Sequence, residues 1–335
     1  MQEIIIPKNY QSKLGNYDTQ KAIGLLKEIF SLNLSSLLHL RRVSAPLFVR
    51  TNSGLNDDLN GVERPVRFTL GCNDDEAEVV HSLAKWKRLA LHNYDFYPGN
   101  GLYTDMNAIR RDETLDNLHS IYVDQWDWEK VITREQRNIE YLKEEVKGIV
   151  KALSLTNQQI KKIYPVLDFE INEDVFFITS QELEDLYPDL SPKQREDAIT
   201  KIHKTVFIIG IGDKLASGKP HDNRAPDYDD WQLNGDILLW YPLLDRAVEI
   251  SSMGIRVDSD SLRSQLGKAG CLERLDLPFH QMLVNDRLPL TIGGGIGESR
   301  ICMLLLEKAH IGEVQVSIWD DANIETCKKA GIRLL

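Results

Sequence analysis

A glycine-rich segment near the C-terminus carries the clearest chemical signal in this chain. Four glycines and one arginine define it: Gly293, Gly294, Gly295, Gly297 and Arg300. Glycine has no Cβ atom, so such a backbone can lie flat against a ring system. An arginine on the first turn of a following helix can stack on that ring or bind phosphate. The segment therefore indicates a nucleotide site, although glycine clusters also occur in plain turns.

Two acidic residues on neighbouring predicted strands indicate a metal site. Asp236 begins the strand predicted for 236–241, and Glu249 lies in the strand predicted for 247–250, so their carboxylates can meet across the pair. Mg²⁺ prefers one or two protein carboxylates together with substrate phosphates. The alternative is that both are solvated acids on exposed strand faces.

Other polar side chains are candidates for a pocket wall. Arg110 lies in the exposed loop of a long predicted hairpin, where it either binds phosphate or belongs to a charged turn. Gln125, Asp127 and Glu129 share one face of a strand rich in aromatic residues, which suits a pocket wall or a half-exposed strand. Asp229 belongs to an acidic, aromatic loop that either binds an ammonium group or a metal, or is a surface turn.

The predicted elements have to position these residues. Apolar spacing predicts a long amphipathic helix from Thr19 towards His39, followed by an edge strand over 41–49, and this pair suits dimerisation. The remaining predictions are a short basic helix at 82–91, a hairpin over 102–128, helices at 139–153 and 181–203, and strands at 175–179 and 205–211. Pro188 and Pro192 interrupt the last helix. Hairpins mixed with helices favour an antiparallel α+β fold over a doubly wound one.

Composition limits the function further. The chain has 335 residues, 42% of them hydrophobic and 27% charged, as in ordinary globular proteins. A net charge of −11 argues against general nucleic-acid binding, which needs an excess of Lys and Arg. No apolar run approaches the roughly eighteen residues of a membrane span, and the N-terminus lacks a basic targeting segment. We therefore expect a cytoplasmic protein that binds neither nucleic acid nor membrane.

In order along the chain, these pieces resemble the three motifs of class II aminoacyl-tRNA synthetases. The first ends at Pro46, the second carries Arg110 and the third ends at Arg300. Longer, tryptophan-rich segments resemble ammonia-dependent asparagine synthetases (aspartate–ammonia ligases): 79–88, 122–129, 224–231, 251–257 and 291–300. The resemblance covers nearly the whole chain. It implies an α+β fold with an antiparallel sheet flanked by helices, a single catalytic domain over residues 1–335, and a homodimer.

The resemblance also implies a reaction. ATP would activate the side-chain carboxylate of L-aspartate as β-aspartyl-AMP, and ammonia would then displace AMP. The products would be asparagine, AMP and pyrophosphate, with Mg²⁺ on the phosphates. Such catalysis is electrostatic and positional, and it requires no covalent protein nucleophile.

The family resemblance assigns roles at the nucleotide. Arg110 would neutralise the α-phosphate, Arg300 would stack on adenine, and Arg256 would hold the triphosphate. The glycines of the 293–297 strand would form the floor of the adenine pocket. Asp236 and Glu249 would hold Mg²⁺, with Ser252 nearby.

It assigns roles at the amino acid as well. Ser82 and Lys87 resemble contacts to the substrate carboxylate. Asp57, Gln125 and Asp127 resemble the polar groups near the amino and amide ends of the substrate. Asp229 would help to bind substrate or to exclude water.

One residue departs from the class II pattern, and two alternative functions have to be weighed. Asp112 stands where class II synthetases usually carry Glu, which weakens any inference about adenine contacts. A tRNA synthetase-like enzyme is disfavoured by the acidic charge and because the class II-like core fills the chain, so we expect no tRNA-binding module. A catalytically silent regulatory paralogue has no need of the phosphate arginines and metal carboxylates that the chain retains.

Overall fold

The computed structural model describes residues 4–56 and 63–335. Within these residues, eight strands form one large sheet in the order β1-β5-β6-β11-β10-β9-β8-β7. In chain order, these strands are β1 (Leu40–Arg42), β5 (Gly101–Ile109), β6 (Tyr122–Val131), β7 (Phe176–Thr179), β8 (Thr205–Ile209), β9 (Asp229–Tyr241), β10 (Arg246–Arg256) and β11 (Thr291–Gly297). The five inner pairings, from β5–β6 to β9–β8, are antiparallel. Only the outermost pairs, β1–β5 and β7–β8, are parallel.

Two long helices cover one face of this sheet. Helix α1 (Asn16–Leu38) buries Ala22, Leu26, Phe30 and Leu34, which recur every four residues on one stripe. That stripe packs with apolar residues of α3 (Ile139–Ile163) and with Trp126 and Trp128 of β6 in the main core. Both helices were expected from their apolar spacing.

Shorter helices lie on the opposite face. They are α2 (Ala84–Asn93), α4 (Ser180–Leu186), α5 (Pro192–His203) and α6 (Ser259–Ala269). Along β8, Phe207 and Ile209 belong to the main core, whereas Val206 and Ile208 pack with residues of α4 and α5. This alternation shows that the sheet is covered on both sides.

The strand predicted for 41–49 is wrong in one respect, because the chain divides it at Pro46. The first part is the edge strand β1 of the large sheet. The second part is β2 (Phe48–Arg50), which joins β3 (Arg67–Thr69) and β4 (Glu76–Val79) in a separate three-stranded sheet of order β2-β4-β3. Proline offers no N–H to a ladder and disfavours continuation of a strand.

Prolines also explain the break in the predicted 181–203 helix. Helix α5 begins with Pro192 at its first position, and the Ser191 side chain accepts a hydrogen bond from the Gln194 backbone N–H. This capping box starts a new helix after α4 has ended. The interruption expected from the sequence is therefore present.

Two last helices complete the part of the fold used below. Helix α7 (Pro278–Val284) precedes β11, and α8 (Glu298–Leu305) follows β11 without an intervening loop. The C-terminal α9 (Asp321–Lys329) lies further along the chain. In the described residues, we find no helix that has both the length and the apolar character needed to cross a membrane.

Candidate active site

A cavity of about 430 Å³ opens against β6, β10 and β11. It gathers residues that are far apart in the sequence, and most of the predicted site residues line it: Ser82, Lys87, Arg110, Gln125, Asp127, Asp229, Glu249, Ser252, Arg256, Gly294, Gly295, Gly297 and Arg300. Gly293 and Asp236 lie behind this lining, and Asp57 falls outside the described residues. Residues predicted from separate motifs thus share one space.

The glycines of β11 are required by close approach of neighbouring strands. A Cβ atom on Gly293 would lie 2.1 Å from the Glu129 Oε2 atom, and one on Gly295 would lie 2.2 Å from the Gln125 Oε1 atom. A Cβ atom on Gly294 would lie 2.5 Å from the Met253 Cβ atom. Backbone conformation is not the reason, since none of these glycines has a positive φ. The strand therefore leaves room for polar side chains of β6.

Basic side chains surround Glu249 on β10. Arg300, on the first turn of α8, donates to the Glu249 backbone oxygen at 3.0 Å. Burial opposes ionisation of the Glu249 carboxyl, but Arg300, Arg224, Lys193 and Arg110 together lower its pKa to about 2. The Nε of Arg110 is buried and has no hydrogen-bond partner in the protein. Four basic side chains thus converge on this side of the cavity, and such a cluster suits phosphate.

Asp236 and Glu249 lie diagonally across the β9–β10 pair. Asp236 is opposite Ser252, whereas Glu249 is opposite Leu238, and the register shifts between Glu249 and Ser251. Arg224 donates a hydrogen bond to the Asp236 Oδ2 atom. Burial raises the pKa of Asp236 to about 6, Glu249 adds to the rise, and Arg224 opposes it.

The donor atoms at this point fit a hard divalent cation. The Oδ1 atom of Asp236 is buried without a hydrogen-bond partner, and a second carboxylate and the Ser252 hydroxyl belong to the neighbouring strand. All these donors are oxygen atoms, as Mg²⁺ prefers. Across residues 4–56 and 63–335, no cluster of three or more acidic, His or Cys side chains forms a closed metal cage. An ion here would therefore need ligands from the substrate.

Lys87 and Asp127 form a buried pair beside β11. The Lys87 Nζ donates to an Asp127 carboxylate oxygen, to the Trp128 backbone oxygen at 2.9 Å and to the Gly294 backbone oxygen at 3.1 Å. Burial lowers the pKa of Lys87 and raises that of Asp127. All three Nζ donors are used, so Lys87 fixes Asp127 against the glycine strand.

Arg256 is held by two carboxylates. Its Nε lies 3.0 and 3.1 Å from the two Glu129 carboxylate oxygens, its Nη2 donates to Glu129 at 2.7 Å, and its Nη1 donates to Asp229. Both carboxylates are buried. Burial raises the pKa of Asp229, whereas Arg256 keeps that of Glu129 below its usual value despite burial. Asp229, predicted from the sequence to lie in a loop, is the first residue of β9, so Arg256 joins the floor of the cavity to the start of that strand.

The cavity also contains residues that sequence reasoning had not assigned to the site. Arg224, Lys193 and Asp124 line it, and Glu129 lies directly behind it. Glu129 does lie on the strand face that the sequence predicted as a pocket wall with Gln125 and Asp127, but no role was assigned to it. Lys193 had no signal in the sequence, since only the docking of α5 brings it near Glu249.

Asp112, the departure noted in the hairpin loop, lies at the cavity mouth. Its carboxylate accepts from the Nε of Arg64 at 2.9 Å. Both side chains line the cavity and both are substantially exposed. The pair thus joins the hairpin loop to the segment that precedes β3.

Solved structures share this fold. The asparaginyl-tRNA synthetase of Pyrococcus horikoshii, complexed with asparaginyl-adenylate, matches at a TM-score of 0.62 and 16% identity, over 89% of this chain and 68% of that one. The asparaginyl-tRNA synthetase of Entamoeba histolytica matches at 0.61 and 12% identity, over 90% and 67%. The protein therefore has the class II aminoacyl-tRNA synthetase-like α+β fold that the motifs predicted.

Sequence relatives narrow the class to one family. A family model for aspartate–ammonia ligase matches residues 17–331. An aspartate–ammonia ligase of Clostridium perfringens strain SM101 is 61% identical over 336 residues, which cover the whole of both chains. Another, of Lactobacillus johnsonii, is 60% identical over 334 residues and 99% of each chain. The chain belongs to the aspartate–ammonia ligase family, and the resemblance drawn from the sequence is confirmed.

Proposed function

We propose that this protein makes L-asparagine from L-aspartate, ammonia and ATP through β-aspartyl-AMP. The aspartate side-chain carboxylate attacks the α-phosphorus and pyrophosphate leaves. Ammonia then attacks the activated carbonyl, and AMP leaves with the bonding electron pair. The observation that carries this proposal is a single cavity in which the unpaired Nε of Arg110, other basic side chains and a polar amino-acid wall meet, in a chain of this family.

Arg110 and Arg300 act on the nucleotide. Arg110 lies in the cavity with an unpartnered Nε, so its guanidinium is available to the α-phosphate as charge develops there. Arg300 stacks on adenine above Gly294, Gly295 and Gly297, which line the same space. Gly293 contributes indirectly, because it leaves room for the Glu129 carboxylate.

Asp236, Glu249 and Ser252 hold Mg²⁺. The orphaned Oδ1 atom of Asp236 supports this role. When bound, the ion supplies charge neutralisation on the phosphates. Arg256 stays on the triphosphate side of the cavity, but its carboxylate partners make it chiefly a support for Glu129 and Asp229.

The amino acid occupies the wall formed by α2 and β6. Ser82 and Lys87 face its carboxylate, Lys87 through its positive charge, because its three Nζ donors already bind Asp127, Trp128 and Gly294. Gln125 and Asp127 face its amino and amide ends, and Asp57 belongs to the same proposal. Ammonium must lose a proton before it can attack. Burial raises the pKa of both Asp127 and Asp229, which line the cavity, and a raised pKa suits proton acceptance. Asp229 also helps to exclude water.

The proposed assembly is a cytoplasmic homodimer in which residues 1–335 act as one catalytic domain. Helix α1 and the small sheet carry exposed apolar side chains, including Leu32 at 69% exposure, Leu47 and the edge-to-face pair Phe48–Phe68. Strand β1 ends the large sheet next to them. Exposed apolar side chains beside a sheet edge support an interface there.

An assay that measures every product tests the reaction. Purified protein is incubated with ATP, Mg²⁺, ammonium and aspartate labelled with ¹⁸O in its side-chain carboxylate. We expect asparagine, pyrophosphate and AMP that carries one labelled oxygen. Formation of ADP, or of unlabelled AMP, contradicts the adenylate. If added tRNA is charged while ammonium yields no asparagine, the synthetase alternative is correct.

A further inference from the structure

Three charged residues meet beneath the first turn of α8. The Lys27 Nζ, on α1, lies 3.0 Å from the Asp124 Oδ2 atom and 2.7 Å from the Glu298 Oε2 atom. Asp124 and Glu298 are buried, with side-chain exposures of 7% and 5%, whereas Lys27 is about one third exposed at 34%. One lysine from α1 thus pairs with two buried acidic side chains that belong to β6 and α8.

Asp124 also supplies the cap that α8 lacks. The N-cap residue of α8 is Gly297, which has no side chain to accept a hydrogen bond. The Ser299 backbone N–H instead donates to the Asp124 Oδ1 atom at 3.1 Å, and the Ser299 hydroxyl donates to Oδ2 at 2.9 Å. Gln315 adds a third donor at 3.2 Å. A carboxylate at the N-terminus of a helix accepts hydrogen bonds from free N–H groups and interacts favourably with the positive end of the helix dipole.

Arg300 follows immediately on this capped turn. Its backbone is fixed by the contacts of Glu298 and Ser299, and its guanidinium reaches the Glu249 backbone oxygen across the cavity wall. We propose that Lys27 and Asp124 are positioning residues that hold the first turn of α8 and thereby aim Arg300 at the nucleotide. This inference rests on the proposed role of Arg300 in ATP binding. Lys27 itself does not line the cavity.

Charge balance explains why Lys27 matters. Without its ammonium group, Asp124 and Glu298 would be two buried acids with no cation between them, and they would repel each other whenever Glu298 is ionised. The Glu298 Oε1 atom already has no hydrogen-bond partner, so little else holds this side chain. Repulsion would displace Glu298, which is the first residue of α8, and Arg300 would move with it.

Substitutions at Lys27 test the inference. For Lys27→Met we expect the KM for ATP to rise roughly 3-fold to 30-fold, while the KM for aspartate stays within about twofold. Lys27→Arg keeps the cation, so it should resemble the natural protein. The double variant Lys27→Met/Glu298→Gln removes one positive and one negative charge, and we expect it to recover most of the ATP affinity. A purely structural role would change both KM values alike.

Lys151→Met is the matched control. Lys151 lies on α3, and its Nζ is 2.8 Å from a carboxylate oxygen of Glu173. It is partly exposed, like Lys27, and lies outside the cavity, so we expect both KM values to stay unchanged. If Lys27→Met changes both KM values equally, changes neither, or is not rescued by Glu298→Gln, the inference is wrong. If Lys27→Met does not fold, Asp124→Asn replaces it, with the same selective rise expected and an equal rise in both KM values contradicting it.

Arg300→Ala distinguishes a failure of the proposed nucleotide role of Arg300 from a failure of the positioning role of Lys27 and Asp124. If it leaves the KM for ATP unchanged, the proposed nucleotide role of Arg300 fails. If Arg300→Ala weakens ATP binding but Lys27→Met does not, only the positioning role of Lys27 and Asp124 fails.

Discussion

Arg110 and Arg300 approach the cavity from different elements, one at the end of β5 and the other on α8. Arg110 has a buried Nε without a partner, whereas Arg300 already donates to the Glu249 backbone. An unpaired buried guanidinium nitrogen is costly unless a ligand completes it. We therefore assign the larger share of transition-state stabilisation to Arg110 and the larger share of ATP binding to Arg300.

Removal of either arginine should reduce turnover severely without unfolding the protein. For Arg110→Ala we expect a loss of kcat of roughly 100-fold to 1000-fold, because a preorganised charge on the α-phosphate is lost. Arg110→Lys should recover part of the rate but lacks the planar fork. Steady-state kinetics and thermal melting measure these effects. Arg134→Ala, which removes an exposed arginine paired with Asp258, is the control for stability. Near-normal turnover in Arg110→Ala or Arg300→Ala refutes the role of that residue.

At the scale of elements, β11 shows how a strand can serve a site by leaving space. Glu129 and Gln125 of β6 extend over Gly293 and Gly295, so the glycines accommodate side chains of the neighbouring strand. The carboxylate of Glu129 is then free to hold Arg256. The glycines of β11 thus line the cavity and also leave room for the side chains that hold its floor in place.

Gly293→Ala tests this function of β11. The new Cβ atom would overlap the Glu129 carboxylate at 2.1 Å, so we expect about 1–3 kcal/mol lower stability and lower activity. Gly267→Ala is the control, because its Cβ meets nothing within 4 Å on helix α6, and it should raise stability by about 0.5–1 kcal/mol. Denaturant unfolding gives both values. A Gly293→Ala protein as stable and active as the natural one contradicts this account of the strand.

Glu298 gives α8 a pH-dependent stability. Burial and then Asp124 raise the pKa of Glu298 to about 7, and Lys27 opposes them. The other charged or titratable groups that interact with it are Asp105, Arg42, Tyr122 and Cys302. Because the folded pKa lies above the ordinary value, the stability from this group is complete below about pH 4.5 and is lost as the pH rises through about 7.

Glu298→Gln should remove that dependence. We expect the free energy of unfolding of the natural protein to fall, relative to this variant, by up to roughly 3 kcal/mol between about pH 4.5 and pH 8. Urea unfolding of both proteins across this range measures the difference. Parallel stability profiles would show that Glu298 titrates as an ordinary exposed carboxyl.

Local motifs were sufficient to predict part of this site. The glycines, Arg110 and Arg300 belong to short segments with a recognisable order, and the fold class followed from them. The sequence predicted that Asp236 and Glu249 could meet across two strands, but not that they lie diagonally, because that placement depends on a shift in register between β9 and β10. The division of the 41–49 strand between two sheets also depends on tertiary pairing, although Pro46 marked its position.

At the scale of the whole molecule, helix α1 belongs both to the main core and to the exposed apolar surface. The main core joins α1 and α3 to the sheet, and α1 also contacts α8 through Lys27 and Glu298. Leu32 of α1 is exposed although the opposite stripe of that helix is buried. A second copy that covers this side of α1 would therefore also secure the helix that carries Lys27.

Leu32→Glu tests the proposed homodimer. A charge placed in an apolar interface should disfavour association, because its desolvation is not compensated. We expect the natural protein to sediment as a dimer and the variant to shift towards monomer, in sedimentation-velocity runs over a range of concentrations. Ile202→Glu is the matched control, since Ile202 is similarly exposed, at 63%, on α5. A variant that remains dimeric would place the interface elsewhere. A natural protein that is monomeric at all concentrations would contradict the homodimer.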